Sequence, residues 1–201
     1  MWIESETLRG KHVTLEVLES RHIPELQSAV KDGQLWTLWY ATVPSPEQMS
    51  EYVLSAIERA QSGELAFAIR DEASQVIVGT TRYYNVDGRN RRAMIGYTWL
   101  SAAARRTPIN TESKFLLLSK LFETHKAIAV EFRTHFFNRT SRAAIERLGA
   151  KQDGILRNHQ IMQDGSYRDT VIYSIVAAEW PAVKMNLMSK LVIEGDELYI
   201  G

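Results

Sequence analysis

The middle of the chain decides the fold, because a strand pattern, a basic loop and a helix pattern follow one another there. The stretch runs from residue 93 to residue 124 and reads AMIGYTWLSAAARRTPINTESKFLLLSKLFET. Residues 93–100 are typical of a strand, and residues 111–124 carry apolar side chains at helical spacing. Residues 127–133 then predict a buried strand, so the sequence places a right-handed βαβ unit at the centre of the fold.

Residues 101–110 form a basic loop between that strand and that helix, and they hold the sharpest candidate site. Arg105 and Arg106 are adjacent in this loop. A helix N-terminus presents unpaired backbone N–H groups and a partial positive charge, to which the Thr107 and Thr111 hydroxyls add donors. Ligands of α/β units gather at the carboxyl ends of strands. The junction therefore predicts a pyrophosphate site, and the alternative is a solvated basic loop beside a capped helix.

A glycine stands inside the strand pattern at residue 96. Glycine within a strand often marks a bulge or the close approach of another group. Tyr97 and Trp99 alternate with Gly96 and Thr98 along the strand. This alternation leaves two interpretations open, because the rings either pack in the core or face a ligand.

The flanking sequence predicts one domain with a mixed sheet and helices around it. Alternating apolar patterns predict strands at residues 8–18, 65–70, 76–84, 151–162 and 167–176, and Asp164-Gly165 predicts a hairpin between the last two. Helical patterns cover residues 21–30 and 140–148, and further helices begin at residues 45–47 and at residue 179. The expected domain spans residues 1–184, with residues 185–201 as a peripheral tail.

Composition and charge exclude several function classes. The chain of 201 residues has 24 Lys plus Arg and 24 Asp plus Glu, and this zero net charge argues against nucleic acid or an anionic membrane as partner. An RNA-associated role would rest on basic loops such as residues 89–92 alone. The chain has no cysteine, which excludes a thiolate metal site and fits a cytoplasmic location. No apolar run reaches the roughly 20 residues of a membrane span, and we expect no metal.

Aromatic residues are concentrated in the segment 33–46, which includes Trp36, Trp39 and Tyr40. Such a segment either folds its rings into the core or forms one wall of an acceptor pocket. Tyr167, at the start of the last strand, also allows two interpretations. It either lies at the rim of the acceptor site or belongs to a solvated hairpin.

Several stretches in this order resemble the GNAT superfamily of N-acetyltransferases, and specifically its RimJ/RimL-like branch. The resemblance covers roughly residues 8–184. It rests on the stretches IGYTWL (95–100), NTESK (110–114), NRTSRAAIERLGA (138–150), GILR (154–157) and YRDTV (167–171).

The resemblance implies a GNAT fold, a cofactor and a reaction. The fold is α/β (α+β), with a mixed, largely antiparallel twisted sheet that has a V-shaped splay. The reaction is direct transfer of acetyl from acetyl-CoA to an amine, either a protein N-terminal α-amine or a small molecule. The implied coenzyme A contacts are Trp99, Leu100, Arg105, Arg106, Thr107, Ile109, Asn110, Thr111 and Asn138.

The same resemblance implies roles for residues near the reacting atoms. A backbone N–H near Thr98 or Trp99 stabilises the developing oxyanion, and Ser141 gives a proton to the departing thiolate. Asn138 also suits a helix N-cap. The tentative acceptor-site residues are Trp36, Trp39, Tyr97 and Tyr167.

Two places in the sequence depart from the family pattern, the loop with Pro108 and Asn110, and Met94. Pro108 stands where the family commonly has a glycine, and Asn110 stands where it has Gly or Ala. Proline lacks an N–H, so one phosphate donor is lost. Met94 replaces a glutamate that serves many relatives as general base, often through water. A catalytically weak acyl-CoA-binding or interaction protein on a GNAT scaffold is therefore the alternative function.

The missing glutamate leaves the general base open. Deprotonation at pH 7 costs about 1.4 kcal/mol for an α-amine and about 4.6 kcal/mol for a lysine side chain, so an α-amine is the easier acceptor. His135, His159 and Asp169 are the candidate bases. Neither the acceptor nor the oligomeric state follows from the sequence, although pairing of two copies through the late strands is compatible with it.

Overall fold

An eight-stranded mixed sheet forms the centre of the protein, in the order β1-β2-β3-β4-β5-β6-β8-β7. The structure is a computed structural model that describes residues 2–193. Strands β5 and β6 pair parallel, and the other neighbouring strands of the described sheet pair antiparallel. The strands are β1 (Leu8–Arg9), β2 (Val13–Val17), β3 (Leu65–Asp71), β4 (Ile77–Asp87), β5 (Arg92–Leu100), β6 (Ala129–His135), β7 (Lys151–Ile161) and β8 (Tyr167–Val176).

Five α-helices flank the sheet in the part of the chain that the structure describes. They are α1 (Ile23–Lys31), α2 (Met49–Glu58), α3 (Pro108–Ser119), α4 (Arg139–Leu148) and α5 (Trp180–Ile193). The predicted fold class, a mixed and largely antiparallel sheet with a central βαβ unit between helices, is confirmed.

The sheet is buried on both faces at β3. Leu65, Phe67 and Ile69 belong to the larger core, which the apolar residues of α3, α4 and α5 complete. Ala66 and Ala68, at the alternate positions, belong to a smaller core under α1 and α2. Successive side chains of a strand point to opposite faces, so apolar residues at every position from Leu65 to Ile69 require helices on both sides.

The β5–β6 ladder is short, and this shapes the centre of the molecule. Residues 92, 93 and 94 of β5 pair with residues 129, 130 and 131 of β6, and no pair follows although both strands continue. A bulge lies in the same part of β5, because Trp99 pairs with Thr80 while Gly96 pairs with Arg82. Tyr97 inside the bulge has a left-handed backbone with φ of +50°. The bulge expected near Gly96 is therefore present, one residue further on.

Gly96 also permits the close approach of another side chain, as a glycine within a strand predicts. A Cβ at this position would lie 2.6 Å from the ring of Tyr84 on the neighbouring strand. That is shorter than a van der Waals contact, so any larger residue would displace the tyrosine.

Four expected boundaries are corrected. A turn at Gly10 splits the expected strand 8–18 into β1 and β2. Helix α3 begins at Pro108, not at residue 111, because Thr107 acts as its N-cap. Its last turn, Lys120–Thr124, is a π-helix. Helix α5 continues to Ile193 and buries Leu187, so residues 185–193 are not a peripheral tail. The rest of the expected tail lies outside the described residues.

Helix α3 is fixed to the first strands by a buried carboxylate. Glu112 accepts hydrogen bonds from the backbone N–H groups of Lys11 (2.9 Å), His12 (2.6 Å) and Val13 (2.8 Å). A Cβ at Gly10 would lie 2.5 Å from this carboxylate, so the glycine makes room for it. The side chain of Glu112 thus holds the turn between β1 and β2 on the first turns of α3.

The substitution Glu112→Gln should destabilise the protein by about 2–3 kcal/mol, because the amide NH₂ cannot accept the hydrogen bonds of these N–H groups. Urea unfolding followed by circular dichroism measures the change. Glu58→Gln, at an exposed helix position, is the matched control and should stay within about 0.5 kcal/mol of wild type. Equal stability of the two variants would show that the Glu112 contacts contribute nothing.

Candidate active site

A cavity of about 410 Å³ opens where β5 and β6 part. Residues 95–100 of β5 and 132–135 of β6 form two of its walls, and the other walls come from α3, from the start of α4 and from the segment between α1 and α2. The parting of two paired strands thus creates an opening through the middle of the sheet, at the carboxyl ends of both.

The cavity is lined by cationic and phenolic groups. Within residues 2–193, no aspartate or glutamate lines it. The lining side chains that carry or can carry a positive charge are Arg105, Lys114, Arg133, His135 and Arg168. This lining favours negatively charged or neutral ligands over cationic ones.

The loop before α3 has free backbone donors directly after Arg105, whose side chain lines the cavity. Asp32 binds the N–H groups of Ala102 and Ala103, through its backbone oxygen (3.1 Å) and its Oδ2 (2.8 Å). Arg106 has a left-handed backbone with φ of +62°. The N–H groups of Arg106 and Thr107 donate to no acceptor within residues 2–193. Consecutive unpaired N–H groups in such a turn form a concave anion site.

The structure brings most of the predicted cofactor residues to this cavity. Trp99, Leu100, Arg105, Asn110 and Asn138 line it, and the free N–H groups of Arg106 and Thr107 precede the helix directly.

Two predicted cofactor residues are placed differently. The side chain of Ile109 packs in the larger core. The hydroxyl of Thr111 is buried and accepts a hydrogen bond from Arg147 Nη1 at 2.8 Å. The expectation that this hydroxyl serves a phosphate is corrected, because it already has a partner and no exposed surface. The Pro108 ring occupies the first helical position, where an N–H would also lack an intrahelical partner.

The start of α4 faces the same cavity. Asn138 Oδ1 accepts from the backbone N–H of Ser141 at 3.0 Å, so Asn138 is the N-cap. Both Asn138 and Ser141 line the cavity. The expected capping role of Asn138 is therefore present, and its role at the cofactor stays a prediction.

A buried lysine is the site residue that sequence reasoning missed. Lys114 is 5% exposed and lines the cavity. Its Nζ donates to the hydroxyls of Thr98 (2.7 Å) and Thr81 (3.0 Å), which are 2.9 Å apart. Burial lowers the pKa of Lys114 from 10.5 to about 7. A signal was available, because Lys114 shares the i, i+3, i+4, i+7 spacing of the buried Leu117, Leu118 and Leu121.

The aromatic residues of the segment 33–46 lie in different places, some against the core and some at the cavity. Trp36 packs against the smaller core and does not line the cavity. Tyr40 lines the cavity. Trp39 is 55% exposed, and its ring lies edge-on to His135 at 5.0 Å between centroids. Tyr97 also lines the cavity, whereas Tyr167 is 64% exposed and outside the lining.

The three candidate bases do not provide a base in the cavity. His135 lines it, but its Nδ1 accepts the N–H of Phe137 at 3.1 Å, so the neutral ring carries its proton on Nε2. Burial lowers the pKa of His135 and keeps the ring neutral. Asp169 lies outside the lining, where the backbone N–H of Asn158 and the side chain of Arg157 lower its pKa. His159 also lies outside the lining, hydrogen-bonded to a threonine hydroxyl.

Met94 is likewise outside the cavity. Its side chain is buried at the last β5–β6 pair, opposite Glu131, and faces a separate surface depression. The missing glutamate at this position therefore leaves the cavity lining unchanged.

Comparisons with known proteins agree with this geometry. Residues 12–151 match the family model described as an acetyltransferase (GNAT) domain. The chain belongs to the GNAT acetyltransferase family. A GCN5-related N-acetyltransferase from Brucella melitensis is 28% identical over 95% of this chain and 87% of its own, with a TM-score of 0.84. A T. thermophilus protein described as an acetyltransferase is 30% identical over 95% of this chain and 100% of its own, with a TM-score of 0.83.

A more distant GNAT structure has the same fold. RimL, a ribosomal alpha-N-protein acetyltransferase in complex with coenzyme A, is 19% identical over 85% of this chain and 98% of its own, with a TM-score of 0.72. A search of curated proteins gives no match. Within residues 2–193, no helix is long and apolar enough to cross a membrane, and no group of three or more acidic, histidine or cysteine side chains is arranged to hold a metal ion.

The buried lysine should make stability depend on pH. Between pH 7 and pH 10.5 the unfolded chain holds a proton on Lys114 that the folded protein has lost, so this residue raises the free energy of unfolding as the pH rises. Lys114→Met removes that dependence. The variant should therefore gain more stability over wild type at pH 7 than at pH 10, as measured by urea unfolding at both values.

The control for this experiment is Lys31→Met, which changes an exposed lysine. It should change the free energy of unfolding by the same amount at pH 7 and at pH 10. A gain from Lys114→Met that is the same at pH 7 and pH 10 would show that the lysine keeps its ordinary pKa.

Proposed function

We propose that the protein is an acetyl-CoA-dependent N-acetyltransferase that moves acetyl directly to an amine. The observation that carries the proposal is one cavity that extends from Arg105 and Asn110, which flank the free N–H groups of Arg106 and Thr107 in the sequence, to the gap between β5 and β6. GNAT membership supports acyl transfer in general. The cofactor, the amine acceptor and the relation to the RimJ/RimL-like branch belong to the proposal.

The residues present fit a coenzyme A diphosphate. Its negative charges would lie at the free N–H groups of Arg106 and Thr107, beside the exposed guanidinium of Arg105. Arg105 is held in place, since its Nε donates to Leu100 O at 3.2 Å. Gly33, with φ of +94°, leaves room for this side chain against the backbone. Pro108 removes one donor, but two consecutive donors remain, which supports cofactor binding.

The remaining residues would position the reacting groups. When bound, acetyl-CoA supplies an acetyl group already activated as a thioester. The pantetheine arm would pass Asn138, and the Ser141 hydroxyl in the cavity is available to donate a proton to the departing sulfur. Thr98 lies on the exposed edge of β5 where the strands part. Holding both reactants in one orientation accounts for much of the rate of such a reaction.

The alternative of a binding protein without turnover rests on Pro108 and Met94. Pro108 leaves two free donors in the loop, and Met94 is outside the cavity. Neither departure removes a lining group that the transfer requires. These placements favour the enzyme.

Coenzyme A should bind in calorimetry with an affinity that depends on Arg105. The substitution Arg105→Gln removes a charged hydrogen-bond donor worth about 1.5–3 kcal/mol, so the dissociation constant should rise roughly tenfold to a hundredfold. Arg89→Gln, in the exposed turn before β5, is the control and should bind as wild type does. Absence of binding to wild type at millimolar coenzyme would exclude the proposed cofactor. Binding without acetyl transfer to any amine would favour the alternative.

The cationic lining should select against acceptors with a second positive charge. Pentylamine and cadaverine differ by one terminal ammonium group, which would enter a cavity without carboxylates. We expect kcat/KM for pentylamine to exceed that for cadaverine by about tenfold or more, because like charges oppose one another at close range. A coupled assay for free thiol measures both. Preference for cadaverine would place the acceptor outside this cavity.

A further inference from the structure

Lys114 has the position of a proton acceptor. It projects from the second turn of α3 into the cavity, and its Nζ contacts two hydroxyls, those of Thr98 and Thr81. Thr81 is fully buried, whereas Thr98 is exposed at the gap between β5 and β6. The hydroxyl of Thr98 therefore connects the buried nitrogen with the space in which an acceptor amine would lie.

No nearby group would hold Lys114 in its charged form. On the same helix, the Glu112 carboxylate is occupied by three backbone N–H groups. On β4, Arg82 pairs with Glu64, and Tyr83 donates its hydroxyl to a backbone carbonyl of α3. The other titratable residues that line the cavity are Tyr40, Tyr52, Tyr97, Arg105, Arg133, His135 and Arg168.

The carboxylates on the other elements packed against α3 are engaged as well. Glu16 of β2 pairs with Arg70, and Lys184 of α5 pairs with Glu123. The surroundings of Lys114 within the described residues thus contain cations and phenols but no carboxylate that pairs with it. Such surroundings favour the neutral amine.

The proposed reaction requires a group of this kind. An alkylamine acceptor arrives as an ammonium ion at neutral pH, and its nitrogen has no free electron pair until one proton leaves. The Nδ1 of His135 already accepts a backbone N–H and its Nε2 is buried, and Asp169 and His159 lie outside the lining. Lys114 is thus the one titratable group of the described lining whose hydroxyl contact leads to the gap, and as a neutral amine it has a lone pair to which that hydroxyl can donate.

We propose that Lys114 accepts the proton of the acceptor ammonium through the hydroxyl of Thr98. This role rests on the acetyltransferase function proposed above. The N–H bond of the ammonium breaks, its electron pair stays on nitrogen, and the proton passes to Thr98 Oγ1. The hydroxyl gives its own proton to Lys114 Nζ. Thr98 is unchanged, the acceptor becomes a neutral amine, and Lys114 becomes an ammonium that later releases the proton to solvent.

The lowered pKa of Lys114, about 7, supports this role. A base works best when its pKa is close to the working pH, since it is then both deprotonated and able to hold a proton. The hydroxyl of Thr81 accepts an N–H of the Lys114 amine, so the lone pair of Lys114 Nζ can point toward Thr98. Thr81 and Thr98 thus position the amine of Lys114, which acts on the acceptor through Thr98.

The titration of Lys114 can be measured without any turnover. Lysine labelled with carbon-13 at Cε gives one NMR signal for each residue, and its shift follows the charge on Nζ. In the free protein we expect one lysine with a midpoint near pH 7, absent from Lys114→Met, while the others titrate near the ordinary value of about 10.4. Titration of every lysine near that ordinary value would overturn the proposal.

The kinetic test compares acceptors that need a base with acceptors that do not. Lys114→Met should lower kcat/KM for an alkylamine at pH 7 by about a hundredfold, and the loss should shrink as the pH rises and solvent deprotonates the amine. An arylamine is already neutral at pH 7 and should keep its wild-type rate. Equal losses for both acceptors, or a loss that does not change with pH, would show a structural role and contradict the proposal.

Variants of the bridging hydroxyl complete the test. Thr98→Val should reproduce the pH-dependent loss, and Thr98→Ser should restore the wild-type profile because it retains the hydroxyl. Failure of serine to restore the profile would contradict transfer through this oxygen. Failure of the wild type to acetylate any amine would instead contradict the proposed function, while the NMR titration still decides whether Lys114 is the neutral group at pH 7.

Discussion

The early end of the β5–β6 ladder is the constraint on which the rest of the structure depends. Three residue pairs hold these strands together, and beyond Met94 they part. The bulge at Tyr97 turns β5, while β6 stays paired with β8 along its whole length. Backbone groups released from pairing in this way need other partners, so an opening in the middle of a sheet is costly unless a ligand uses it. The cavity of this protein is that opening.

Helix α3 carries several functions because it lies along this opening. Its first turn follows the loop with the free N–H groups, and Thr107 caps it. Glu112 fixes it to the start of the sheet, and Lys114, half a turn later, reaches the parted strands. One rigid element thus sets the distance between the proposed anion site and the proposed proton acceptor. A change in the orientation of α3 would therefore affect both sites together.

The sequence predicts most of the fold but only part of the candidate site. The pattern of apolar residues along strands such as residues 65–70 indicates which side chains are buried. The central βαβ unit follows from the strand, helix and strand patterns that succeed one another between residues 93 and 133. The apolar spacing predicts a start of α3 at residue 111, three residues too late, because it ignores that Pro108 suits a first helical position. Lys114 was missed because a charged residue within an apolar helix face reads as an exposed one. The helical spacing indicates its burial, but its contacts with Thr81 and Thr98 on two other elements follow from no pattern within the helix.

The central claim is that the loop before α3 binds a diphosphate and directs a thioester into the gap between β5 and β6. A crystal structure of the protein with coenzyme A tests it most directly. The account predicts diphosphate oxygens within hydrogen-bond distance of the N–H groups of Arg106 and Thr107, and the sulfur near Thr98 and Ser141. A nucleotide bound elsewhere, or a gap filled by side chains at saturating coenzyme, would contradict it.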